Sequence, residues 1–153
     1  MTTQRQERFF EDFAVGQRFR SGEVPITAEA IKAFARQYDP QPFHTDEEAA
    51  KHSFFGRLVA SGWHTAALTM RLIVDSDLHP AGGTIGAGTD GISWPRPVYP
   101  GDVLHVEGEV VEARASRSRP GLGIVKMRVQ TINQRGEAVQ IFIPALMVLL
   151  RSG

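Results

Sequence analysis

Ser61-Gly62-Trp63-His64-Thr65-Ala66-Ala67-Leu68-Thr69-Met70-Arg71-Leu72-Ile73-Val74-Asp75-Ser76 places apolar residues at Trp63, Ala66, Ala67, Met70, Ile73 and Val74. These fall at i, i+3, i+4, i+7, i+10 and i+11, the recurrence of one helical face. Leu68 and Leu72 add apolar surface on the other side and leave only a thin polar stripe of His64, Arg71 and Asp75. A helix so nearly apolar all round is expected inside the molecule, with Trp63 and Met70 as core residues. At 1.5 Å per residue it is about 24 Å long.

Downstream, from residue 83 onward, the period changes to two. Leu104, Val106 and Val110 alternate with His105, Glu107 and Glu109 in 103–111, and Val125, Met127 and Val129 alternate with Lys126, Arg128 and Gln130 in 124–131. Such alternation marks half-buried antiparallel strands. Val139 to Leu150 is apolar at nearly every position, so both of its faces need cover, and a partner subunit is one source of it; Pro144 argues for an edge or a bulge there. Asn133-Gln134-Arg135-Gly136 is the expected hairpin connection. One buried helix and four long strands predict an α+β fold in which a curled antiparallel sheet wraps a long central helix.

Upstream, Thr27 is the expected N-cap of a helix over 28–38, with Ile31, Phe34 and Ala35 at helical spacing. Pro40 biases Asp39 away from helical backbone and should end that helix near Tyr38. A second short helix is expected from Thr45, where Thr45-Asp46-Glu47-Glu48 has capping-box spacing. Between them, Asp39-Pro40-Gln41-Pro42-Phe43-His44 reads as a stiff loop, because two prolines exclude regular helix.

The bulk composition removes several function classes. A length of 153 residues, with no repeat or linker, fits one domain over 1–153. Lys and Arg together number 17 and so do Asp and Glu, without a basic block, so nucleic acid is not an expected partner. The absence of cysteine excludes thiolate nucleophiles, disulfides and Cys-based zinc sites. The opening MTTQRQERFFEDF lacks the apolar stretch of a secretory signal, and Val139–Leu150 is well short of the ~20 residues that span a bilayer. A cytoplasmic protein without membrane attachment is the expectation.

Asp39 and His44 are the candidate catalytic pair. A carboxylate and an imidazole held on a rigid segment can polarise one water and move its protons near neutral pH. The same residues can also serve only to cap a loop and to pack at a helix start. Ser61 and Gly62 open the central helix, where unpaired N–H groups and the positive dipole end stabilise an anionic oxygen. Such a site can hold a thioester carbonyl as it becomes enolate-like, although an ordinary N-cap and a tight packing point would look the same. His44, Asp46, His52 and His64 lack metal-site spacing, so no metal is expected. Ser61 lacks the G-x-S-x-G context of a nucleophile. Arg57, Arg71 and Arg96 are candidates for a coenzyme A phosphate, against a solvated surface role as the default.

Tyr38-Asp39-Pro40-Gln41-Pro42-Phe43-His44-Thr45-Asp46 resembles the catalytic segment of the MaoC-like (R)-specific enoyl-CoA hydratases and dehydratases, in which G-D-x-N-P-x-H supplies the Asp and the His. The resemblance continues through Phe10-Glu11-Asp12-Phe13-x-x-Gly16, Phe55-Gly56, Ser61-Gly62 and Arg96-Pro97-Val98-x-Pro100-Gly101-Asp102, in the family's order and over nearly the whole chain. It implies a hot-dog fold, a homodimer or a higher homo-oligomer of dimers, and an acyl-CoA or acyl-carrier thioester in a tunnel near the dimer interface. No cofactor is implied beyond the coenzyme A of the substrate itself. Carried over, Asp39 and His44 share the water added to an enoyl thioester, and the backbone N–H of Gly62 polarises the carbonyl. Tyr38 stands where the family has Gly, Gln41 where it has Asn, and Ser61 where a His often precedes the helix glycine; Gln41 and Tyr38 are the expected supports of the loop. Two alternatives stay open: a hot-dog thioesterase using a helix carboxylate such as Asp75 or Asp77, and a non-catalytic acyl-thioester-binding module.

Overall fold

The computed structural model describes residues 5–152. The first four residues of the N-terminal stretch and Gly153, the last residue of the expected domain, lie outside them.

A 3-10 turn, Phe10–Asp12, precedes two short strands, β1 (Arg18–Arg20) and β2 (Val24–Pro25). Then come helices α1 (Ala28–Tyr38), α2 (Pro42–Thr45), α3 (Glu47–Lys51) and α4 (Gly62–Val74). Four long strands follow: β3 (Ile85–Ser93), β4 (Val103–Ala115), β5 (Leu122–Ile132) and β6 (Ala138–Leu149). All strand pairings are antiparallel, in the order β1-β4-β5-β6-β3, with β2 also pairing β4, and the sheet is not closed. Its curled face cradles α4, as expected for a hot-dog fold. Among the described residues, no helix is long and apolar enough to cross a membrane.

Local chemistry explains most boundaries. Thr27 Oγ1 accepts from the Ala30 amide at 3.1 Å, and α1 ends at Tyr38. The connection at Asn133–Gly136 is a tight turn: the Asn133 carboxamide oxygen accepts from the Arg135 and Glu137 amides, and Gly136 takes φ +76°. In β4 and β5 the alternation holds, with Leu104, Val106, Val110, Val125, Met127 and Val129 all buried.

Three expectations need correction. The segment 39–44 is not loop throughout, because Pro42 starts the one-turn helix α2 at N1, where its missing N–H costs nothing. The cap of α3 is Asp46, whose Oδ1 accepts from the Glu48 and Ala49 amides; Thr45, as the last residue of α2, donates its hydroxyl back to the Gln41 carbonyl. Of the two readings of Pro144, edge or bulge, the second holds: β5 and β3 flank β6, and the β3–β6 register shifts beside Pro144. Finally, α4 does not bury its apolar stripe. His64, Thr65, Thr69 and Leu72 are buried, whereas Trp63, Met70 and Val74 are 59%, 41% and 49% exposed in the single chain.

The reason for the last correction is a polar seat under the helix. Thr69 donates its hydroxyl to the Thr65 carbonyl at 2.8 Å, which leaves the Thr131 hydroxyl of β5 to donate to Thr69 at 2.5 Å. Gln140 of β6 adds its Nε2 to the same oxygen at 3.3 Å. Small hydroxyl side chains let the helix approach the sheet closely and still satisfy every hydrogen bond they make there.

Two apolar clusters flank this seat. One joins Leu72 to Val106, Val125, Met127 and Val148 at the C-terminal end of α4. The other joins Ile26, Ile31, Ala50, Leu58, Val98 and Leu104 beneath α1 and α3, and it carries the segment that holds Asp39 and His44.

Phe10 lies over Gly123 of β5, and a Cβ added there would overlap its ring. Gly123→Ala is therefore expected to destabilise the protein by about 1–3 kcal/mol through overpacking, read as a lower urea midpoint with an unchanged m-value.

Candidate active site

Asp39 is the C-cap of α1, and its amide still donates to the Ala35 carbonyl. Pro40 and Pro42 restrict the next residues, so the carboxylate is presented from a backbone with little freedom. Gln41 Nε2 donates to Asp39 Oδ1 at 2.6 Å, and the Ser61 hydroxyl donates to Asp39 Oδ2 at 2.7 Å. His44 Nε2 lies 3.3 Å from the same Oδ2.

His44 is buried on α2, with Nδ1 2.6 Å from the carbonyl oxygen of Val59. A carbonyl can only accept, so Nδ1 carries a proton, and in the neutral ring Nε2 keeps its lone pair facing Asp39. The Phe43 ring meets His44 edge-on at 4.5 Å and fixes its plane.

The Asp39 carboxyl is held below its ordinary value. Burial, the largest single influence, pushes it up, but the hydrogen bonds from Ser61 and Gln41 and the charge of a protonated His44 together outweigh it. The group is thus a stable carboxylate at neutral pH.

Ser61 has two tasks. It is the N-cap of α4, with its Oγ accepting from the Trp63 amide at 3.2 Å, while its proton goes to Asp39. The His64 and Thr65 amides bond to the Ser61 carbonyl. Among the described residues, none accepts from the Gly62 amide, which leaves one donor at the positive end of α4 beside the Asp39–His44 pair. Gly62 is also packed against an aromatic ring: a Cβ there would lie 2.7 Å from the Trp94 indole.

The remaining candidates divide clearly. Tyr38 is exposed and packs on Phe34 at 5.2 Å, so the loop contact comes from Gln41. His64 is not on a polar stripe but buried and stacked on Phe34 at 4.8 Å, and burial lowers its pKa. Arg71 pairs with Asp75 and Arg96 with Glu137, whereas Arg57 lies over the Tyr99 ring at 4.0 Å. Asp75, a carboxylate considered for thioester hydrolysis, is the C-cap of α4, at the opposite end from Gly62.

Three contributors escaped the sequence. The Val59 carbonyl is a backbone atom that no side-chain pattern signals. Trp94 follows β3 without any periodicity. Gln140 did leave a trace, as the polar exception in the apolar run 139–150.

An apolar cavity of about 350 Å³ opens between α4 and the sheet, lined among others by Met70, Ile73, Met127, Val129, Phe142 and Leu146. Asp39, His44 and Gly62 are not among its lining residues.

Comparison with known proteins agrees with this architecture. The family model described as MaoC like domain matches residues 12–132. A solved MaoC-like dehydratase from Rhodospirillum rubrum is 56% identical, with a TM-score of 0.91, over 95% of this chain and 99% of that one. The R-hydratase PhaJ1 from Pseudomonas aeruginosa is 28% identical, with a TM-score of 0.75, over 94% of this chain and 86% of that one. Mesaconyl-CoA hydratase of Cereibacter sphaeroides is 28% identical over 94% of this chain, which corresponds to 42% of its own length. A motif order that spans the chain, a helix cradled by an antiparallel sheet and a family model covering most of the residues lead to one assignment: the chain belongs to the MaoC-like dehydratase family.

Proposed function

We propose that this protein adds water to an enoyl thioester, or removes it from a 3-hydroxyacyl thioester, with the acyl group carried by coenzyme A and with R stereochemistry. The observation that carries the proposal is Asp39 Oδ2 at 3.3 Å from His44 Nε2, beside the Gly62 amide, which has no acceptor among the described residues. The names of the R-hydratase and mesaconyl-CoA hydratase relatives support the reaction class.

In the hydration direction, a water donates one hydrogen to His44 Nε2 and the other to Asp39 Oδ2, which aims its oxygen at the β-carbon. As the C–O bond forms, His44 takes the water proton. The electron pair of the double bond moves toward the carbonyl, and the Gly62 N–H and the α4 dipole stabilise the resulting enolate oxygen. The imidazolium then returns a proton to the α-carbon, so the net change is H and OH added across the double bond. Asp39 stays ionised, orients the water and stabilises the imidazolium. From Gly62, Ile73 lies eleven residues along on the same helical face, about 16 Å at 1.5 Å per residue. The apolar cavity at Ile73 is accordingly assigned to the acyl chain.

The working form is proposed to be a homodimer. β3 ends the sheet with nearly every residue exposed, and the neighbouring α4 stripe leaves Trp63, Met70 and Val74 uncovered. A second copy placed across this edge satisfies the strand and covers the stripe together. Sedimentation is expected to show a dimer; a monomer at micromolar concentration counts against it.

Asp39→Asn is expected to lower the hydration rate of crotonyl-CoA, followed by loss of its conjugated absorbance, by about 10²–10⁴-fold while the circular dichroism stays native. If the unaltered protein turns over no enoyl thioester of any chain length, the hydratase assignment falls; thiol release from acyl-CoA would point instead to a thioesterase.

Because the folded Asp39 pKa is depressed, its ionisation stabilises the fold fully above the unfolded value of about 3.9, and that contribution is lost as pH falls through the lower folded value. Ser61→Ala removes one hydrogen bond to the carboxylate. Carboxyl NMR titration should show the Asp39 pKa rising in that variant, and an unchanged value would separate Ser61 from the control of this charge.

A further inference from the structure

Gln140 is fully buried in β6, in a stretch that otherwise packs apolar side chains. An amide there costs stability unless each of its groups is paired, so its partners define its task. Nε2 reaches Thr69 Oγ1 at 3.3 Å, inside the polar seat of α4. Oε1 accepts from the indole Nε1 of Trp94 at 2.9 Å. One buried side chain therefore ties Trp94 to the helix that carries Gly62.

The tie places the indole where it meets the carbonyl site. Its six-membered ring fills the space that a Cβ of residue 62 would need, with Cε2, Cδ2 and Cζ2 at 2.7–3.0 Å from that position. Trp63 closes on it edge-to-face at 5.3 Å. The indole therefore packs as an aromatic wall on residue 62 itself, the residue whose amide is proposed to hold the carbonyl. A thioester carbonyl carbon bears two neighbours, a sulfur that cannot branch and the α-carbon. Only the α-carbon differs between substrates, so it is there that the wall acts.

We infer that Trp94, positioned by Gln140, is a specificity-determining residue that limits substituents on the carbon next to the thioester carbonyl. The inference rests on the proposed placement of that carbonyl at Gly62. Gln140 is a positioning residue; it acts only through the indole.

Binding of two saturated, unreactive thioesters tests it by calorimetry: butyryl-CoA and 2-methylbutyryl-CoA, which differ by one methyl at the α-carbon. The unaltered protein is expected to prefer the unbranched ligand by about tenfold or more, the scale on which a pocket discriminates one such group. Trp94→Ala should abolish the preference, and Trp94→Phe and Gln140→Met should reduce it in part. Gln140→Met should also weaken the near-ultraviolet coupling of Trp63 and Trp94, the two tryptophans of the chain. If Trp94→Ala does not fold, the other two variants decide. An unchanged preference in the folded variants, no preference in the unaltered protein, or no binding of either ligand overturns the inference. Crotonyl-CoA turnover separates the two claims: selective binding without hydration removes the hydratase assignment and keeps the wall, whereas hydration without selectivity does the reverse.

Discussion

Helix α4 rests on the sheet through hydroxyl groups, and much of the molecule follows from that. Thr69 bonds to its own helix at Thr65 and receives the Thr131 hydroxyl from β5 and the Gln140 amide from β6. Each of these residues is almost completely buried, so the bonds form in a medium where an unpaired partner would be costly. They set the rotation of the helix about its axis. With Thr65, Thr69 and Leu72 against the sheet, Trp63, Met70 and Val74 must face outward, and the N-terminus is directed toward Asp39.

At that N-terminus a single side chain joins the fold to the site. The Ser61 hydroxyl caps α4 and donates to Asp39, so the helix dipole, the carboxylate and the Gly62 amide share one rigid frame. The Val59 carbonyl does for His44 what Ser61 does for Asp39, fixing its orientation and its proton on Nδ1. Val59, Ser61 and Gly62 lie within four consecutive residues, and the Val59 and Ala60 amides are tied to Phe43 and Val98. The Asp39–His44 pair is therefore positioned by a short segment bonded on both sides, and the two prolines limit what the segment 39–44 can do.

The apolar character of α4 has a different reading in three dimensions than in one. An all-apolar helix is buried in a finished assembly, and the single chain buries only one side of it. The uncovered stripe begins at Trp63, which meets Trp94, the residue directly after the edge strand β3, at 5.3 Å.

Taken alone, the amino-acid sequence determined the main helices and long strands and which residues are candidates for chemistry. The period of 3.6 in 61–76, the period of two in 103–111 and 124–131, and the Thr27 cap are local properties, because they depend on backbone geometry and on side chains within a few residues. The pairing of Asp39 with His44 was legible for the same reason, since two prolines between them leave few conformations. Tertiary structure decided everything that depends on contacts distant in the chain. It chose the hydroxyl face of α4 over its apolar face, because Thr131 and Gln140 lie more than sixty residues from Thr69. It brought Ser61 to Asp39 and Val59 to His44, and set Trp94 against Gly62. Those choices compare the burial of one surface with the satisfaction of particular donors and acceptors, and no periodicity in a single segment contains that comparison.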